Sequence, residues 1–214
     1  MLRLGILLSL IAKPALACKL ALLLSMDVSN SIDGGEYDYQ RLGLADALVD
    51  TQVMNVLIRD QVTLMVVQWS GPDEQSVVFP WQQMQTQRDV IVFADRVRRM
   101  PRTFMFSRTA VGNALNFSIA QFTSVNHCAR KVIDVSGDGA SNSGLETSNQ
   151  SRRAARLGIE INGVAIDIMG NAISEFYRRY VVTPGGFVLT STGFSDYPRT
   201  IRAKLLRELV QPGS

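Results

Sequence analysis

The 214-residue chain has only two cysteines, Cys18 and Cys128, and one histidine, His127. That set is too sparse in soft ligands for a structural zinc site. No long cationic tract and no interleaving of basic and aromatic residues occurs, which argues against a nucleic-acid surface. The small cluster Arg98, Arg99 and Arg102 is the ordinary pattern of a solvated face. Biased tracts are absent and only 19% of residues are charged, so the composition is not that of a disordered chain. The longest early apolar run, residues 4–12, is too short to span a bilayer. There is no internal repeat and no linker. What is abundant is apolar side chain, 46% over the whole length, enough for one domain with a substantial core.

The first residues have the grammar of an export signal. Arg3 supplies the basic start, residues 4–12 the apolar stretch, and Ala15-Leu16-Ala17 a small-x-small cleavage site. Residues 1–17 are therefore expected to be a signal peptide and 18–214 a single exported domain, periplasmic or secreted. Lipid anchoring at Cys18 is the alternative, disfavoured because Ala15 is small where a larger apolar residue is wanted. Loss of Arg3 and Lys13 leaves 20 basic against 19 acidic side chains, a net charge of +1. An even pair of cysteines in an oxidising compartment is more often bridged than free. Whether these two meet depends on the fold.

Apolar, β-rich runs alternate with helical spacing along the chain. Strands are expected at 20–26, 62–69, 76–81, 131–136, 159–166 and 186–189. Helices are expected at 37–49, 89–100, 110–122, 146–157, 172–180 and 196–210. The turn "SGPDE" makes 76–81 the return arm of a hairpin, hence antiparallel to 62–69. Buried strands alternating with helices predict an α/β, Rossmann-like doubly wound, mostly parallel six-stranded sheet with helices on both faces. Ligands of such sheets collect beyond the carboxyl ends of the strands. Asp27, Ser29 and Ser31 lie there in "LLLSMDVSNSIDGGEY", as does Asp138 in "VIDVSGDGASN"; Thr109 stands in "FSRTAVGNAL" where a helix begins.

Two carboxylates and three hydroxyls form an oxygen-only set suited to a hard cation, Mg2+ in preference to Mn2+ or Ca2+. In D-x-S-x-S an extended backbone sends alternate side chains to one side, so three oxygens converge. Neutral hydroxyl ligands leave an ion much of its charge and an open position, which suits capture of an external carboxylate. The rival for each segment taken singly is a helix cap or a turn. Asp134, inside an apolar strand, is expected to be a buried, hydrogen-bonded aspartate supporting nearby loops rather than a ligand.

D-x-S-x-S at 27–31, the lone Thr109 and Asp138-Gly139 resemble, in order, the metal-ion-dependent adhesion site of von Willebrand factor type A (VWA) domains. "VIDVSGDGASN", "VVQWSG" and "AKLLREL" are similar to a family of uncharacterised secreted bacterial proteins carrying such a domain. The resemblance implies hydroxyl ligation by Ser29, Ser31 and Thr109, and direct or water-mediated ligation by Asp27 and Asp138. It also places strands 20–26 and 131–136 side by side and parallel, which implies a Cys18–Cys128 disulfide at the end of the sheet opposite the metal.

Two enzyme readings compete. "SGDGASN" resembles the acidic loop of haloacid-dehalogenase-like phosphatases, but their second aspartate would fall at Ser29, leaving no evident general acid. Serine hydrolysis lacks a G-x-S-x-G elbow, and His127 precedes a strand at the far end from Ser29 and Ser31. A structural module with a vestigial metal site is a third alternative. The expectation is a non-enzymatic, monomeric binding module, with neither nucleic acid nor a membrane span, that grips an acidic group of a protein partner through a divalent cation.

Overall fold

In the first strand, Leu20, Leu22, Leu24 and Met26 point to one core cluster, and Ala21 and Leu23 to another. That period of two, buried on both sides, is the mark of a central strand. The computed structural model describes residues 18–105 and 107–210; the expected signal peptide, 1–17, lies outside them. Six strands form one sheet in the order β3-β2-β1-β4-β5-β6: β1 (Leu20–Asp27), β2 (Thr63–Trp69), β3 (Gln75–Gln83), β4 (Arg130–Gly137), β5 (Glu160–Ile166) and β6 (Val188–Ser191). All neighbours pair in parallel except β2 and β3. β3 is the outer strand, which is where Pro80 is tolerated.

One face of the sheet is covered by α1 (Gly34–Val49), α2 (Thr51–Arg59), α3 (Gln87–Arg98) and, after α4 to α6, by α7 (Tyr197–Val210). The other carries α4 (Val111–Gln121), α5 (Thr147–Arg156) and the region of α6 (Ala172–Phe176). α6 runs directly into a π-helical turn, Tyr177–Val181. No described helix is long and apolar enough to cross a membrane.

The expected elements are present with ends shifted by a few residues, and α2 is additional. A single residue separates α1 from α2: Asp50 ends the first, and its carboxylate accepts from Gln52 N and Val53 N to start the second. Cys18 and Cys128 precede β1 and β4 and are joined by a disulfide, with Cα atoms 4.7 Å apart. The bond lies at the amino end of the parallel strands. His127 beside it is exposed.

Asp134 differs from expectation. It does not support the loops; it points under α7 and pairs there with Lys204, both groups essentially inaccessible. Lys204 also lies 2.9 Å from Glu208 one turn on. An apolar strand can carry an aspartate here because the covering helix brings the opposite charge.

Candidate metal centre

The loop after β1 begins with Asp27 as the last strand residue, Val28 N bonding to Trp69 O at 2.9 Å as the ladder ends. Asp33, not Asp27, Ser29 or Ser31, starts the next helix. Its carboxylate accepts from Glu36 N, while Glu36 returns to Asp33 N, a complete capping box. The helix-cap explanation of the serines is thereby removed. Similarly Ala110 is the cap position of α4 and there is no side-chain cap, so the Thr109 hydroxyl is not spent on the helix.

Instead these oxygens meet each other. Thr109 Oγ1 is 3.1 Å from Ser29 Oγ, Ser29 Oγ is 3.3 Å from Ser31 Oγ, and Ser31 Oγ donates to Asp138 Oδ1 at 2.7 Å. Four residues from three separate loops make a continuous string of oxygens. Asp27 joins it through the backbone: its Oδ1 accepts from Ser29 N at 2.8 Å, and its Oδ2 has no hydrogen-bond partner among the described residues. The five side chains singled out in the sequence therefore converge at the carboxyl end of β1 and β4. Ser31 and Thr109 line a cavity of about 370 Å³ together with Asn30, Ser107, Arg108 and Asn142.

The electrostatics are those of an uncompensated acidic pocket. Burial pushes the Asp27 carboxyl up to about 7, and the negative charge of Asp138 adds to the shift against the bond from Ser29. Asp138 is also raised, by burial first, with the Ser31 hydroxyl acting in the opposite direction. A cation is the complement that lets both ionise. The donor set fits one: adjacent ligands of an octahedral Mg2+ are separated by about 2.9 Å, close to the spacings found between these oxygens.

Several residues that hold the loops escaped sequence reasoning. Arg102 does not sit on a solvated face with Arg98 and Arg99. Its guanidinium donates to Val28 O at 2.9 Å and Ser29 O at 2.8 Å, and its Nε to Phe104 O at 3.0 Å. Arg98 and Arg99 make surface pairs with Asp46 and Asp95. Gln68 on β2 ties Tyr37 OH, Pro101 O and Thr103 N together. Asn142 and Thr109 exchange two bonds, Asn142 N to Thr109 O and Thr109 N to Asn142 Oδ1. Tyr177 reaches beneath the site from the π-helical turn; burial, then the nearby Asp27 charge, hold its phenol well above its usual value. None of these has a motif signature, because each acts through backbone groups, another buried side chain or burial.

Comparison with solved structures gives the same architecture. The proximal thread matrix protein 1 of the mussel byssus, with a zinc-occupied MIDAS motif, superposes with TM-score 0.67 at 15% identity, covering 91% of this chain and 46% of that one. The chain thus spans about half the length of the mussel protein. BatB of Bacteroides thetaiotaomicron, a conserved hypothetical protein, gives TM-score 0.59 at 15% identity over 90% of this chain and 100% of its own. The SpRpn10 VWA domain gives 0.55 at 14%, over 79% and 86%. These likenesses establish a VWA fold. No curated protein matches significantly. A family model described as "Protein of unknown function (DUF1194)" matches residues 17–213. With nearly the whole chain inside that match, the protein belongs to the DUF1194 family and is built on a VWA fold.

Proposed function

We propose that the protein is an exported binding module in which Asp27, Ser29, Ser31, Thr109 and Asp138 hold a divalent cation that receives an acidic group of a protein partner. The observation that carries this reading is the string of oxygens linking Thr109, Ser29, Ser31 and Asp138 across three loops, in a chain whose helix starts are capped by other residues or not at all. The cation supplies an electrophilic position for an external carboxylate. Ser29, Ser31 and Thr109 contribute neutral hydroxyls; Asp27 and Asp138 contribute the charge, directly or through water. Mg2+ is the ion we favour, on hardness and on the oxygen spacing.

Further support comes from the occupied motif of the mussel protein, similar in fold. The surroundings suit a macromolecule. Met105, Leu145, Ile168 and Met169 are exposed on loops at the carboxyl edge of the sheet, Met169 at 89%. Exposed apolar side chains on neighbouring loops are a feature of protein-binding surfaces. Export is consistent with the signal-like start and with the disulfide.

Calorimetry with Mg2+, Mn2+ and Ca2+ tests the site. One equivalent should bind, and Asp27→Ala and Asp138→Ala should each weaken binding while the fold persists. Equal affinity in both variants would reject the assignment. Retention of an envelope protein in the presence of metal, and its release by chelator, tests the partner.

A further inference from the structure

Three tyrosines are deeply buried, and two use their hydroxyls. Tyr37 donates to Met100 O and Pro101 O, each at 3.1 Å, and Tyr197 lies 3.4 Å from Ser136 Oγ. Tyr177, fully inaccessible, has no partner for its hydroxyl among the described residues. An unpaired buried hydroxyl is costly and calls for an explanation.

The space around it is shaped for it. Gly163 on β5 lies under the ring: a Cβ there would come within 2.7 Å of Tyr177 Cδ1. Gly137, at the end of β4, lies under the hydroxyl: its Cβ would fall 2.8 Å from Tyr177 OH and 2.7 Å from Asp27 Oδ2. Two glycines in adjacent strands and a π-helical turn therefore converge on the placement of one phenol. π-Turns recur at functional sites, and glycine within a strand often marks a close approach. The oxygen across the gap, Asp27 Oδ2, is the other orphan: its carboxylate partner atom Oδ1 is taken by Ser29 N, while Oδ2 is buried and unpaired. Tyr177 OH and Asp27 Oδ2 flank the same missing methyl group.

We infer that Tyr177 is a positioning residue for Asp27: when the cation is held, its hydroxyl donates to Asp27 Oδ2 and fixes the rotation of the carboxylate beneath the metal loop. This rests on the metal-binding reading above.

The test is Tyr177→Phe in the full, disulfide-bonded chain, with Mn2+ as the probe. Mn2+ affinity should fall about tenfold, equivalent to about 1.4 kcal/mol. The metal-free melting temperature should stay level or rise, because an unpaired buried hydroxyl has been removed. A hydroxyl with no role would give the same thermal result with Mn2+ affinity unchanged, and that outcome overturns the inference. If affinity and melting temperature both fall, a double-mutant cycle with Asp27→Asn decides. Tyr177→Phe should cost little further affinity once Asp27 is replaced; additive losses overturn the inference. Wild-type protein that binds no Mn2+ would overturn the metal reading itself, and this inference with it.

Discussion

Lys204→Met is the substitution whose effect can be worked most fully from the structure. Lys204 is 0% exposed between Asp134 on β4 and Glu208 on its own helix. Its ammonium is paired with both carboxylates. Glu208 is anchored in turn by Asn162 Nδ2 at 2.8 Å, and Asn162 Oδ1 accepts from Phe187 N at 2.7 Å. The network therefore joins α7 to β4, β5 and the segment before β6. Removing only the ammonium strips Asp134 of its paired cation, while Glu208 keeps the more distant Arg130 at 3.9 Å. Breaking a buried pair in this way costs about 3–5 kcal/mol. Asp134 softens the loss, because burial already holds its carboxyl at about 6 despite Lys204, so a proton can replace the ammonium. We take about 3 kcal/mol, a fall in melting temperature of roughly 6–12 °C for a domain of this size. Urea unfolding monitored by circular dichroism measures it, and the deficit should shrink toward pH 5 as Asp134 takes up its proton. The triple variant Asp134→Leu, Lys204→Met, Glu208→Leu should recover part of the stability, since apolar replacement of a buried ion triad is often neutral and Asn162 Nδ2 keeps its bond to Glu160. A Lys204→Met protein within about 0.5 kcal/mol of wild type, below the usual cost of breaking a buried pair, would refute the reasoning.

Other outcomes follow from the same structure. The Cys18–Cys128 bond closes a loop of 110 residues; replacing both cysteines by serine should destabilise the fold by about 3 kcal/mol, and an unchanged urea midpoint under reduction would contradict it. Arg102→Ala frees the carbonyls of Val28 and Ser29 while leaving every proposed ligating side chain in place; Mn2+ affinity should drop severalfold, and calorimetry would detect its failure to do so. Asp60 is held down to about 2, first by the bond from Arg59 and then by Lys19. Its contribution is therefore present above the unfolded value near 4 and lost as pH falls through about 2. Asp60→Asn should cost about 1 kcal/mol at pH 7 after allowance for screening, with wild type and variant converging in acid melts.

The sheet was legible because its strands are continuous apolar runs and its helices carry periodic apolar faces. The candidate site was legible because strand ends in such a sheet are where oxygens gather, and the three segments could be compared with that map. α2 was missed because Asp50 serves two helices at once, and no loop announces the boundary. "AKLLREL" hides its meaning for another reason: Lys204 and Glu208 have the i,i+4 spacing of a solvated pair, yet face inward. Only Asp134, a lone acid in an apolar strand, hinted at a buried counter-charge. Arg102 and Tyr177 act through backbone carbonyls and through space left by glycines, which no periodicity records.

Anomalous diffraction from crystals soaked in Mn2+ reveals whether a cation sits among the five oxygens. A single strong peak should lie within coordinating reach of Ser29, Ser31, Thr109 and Asp138 and be lost in Asp138→Ala. A fully occupied peak elsewhere, or none at these loops at millimolar Mn2+, would contradict the metal site.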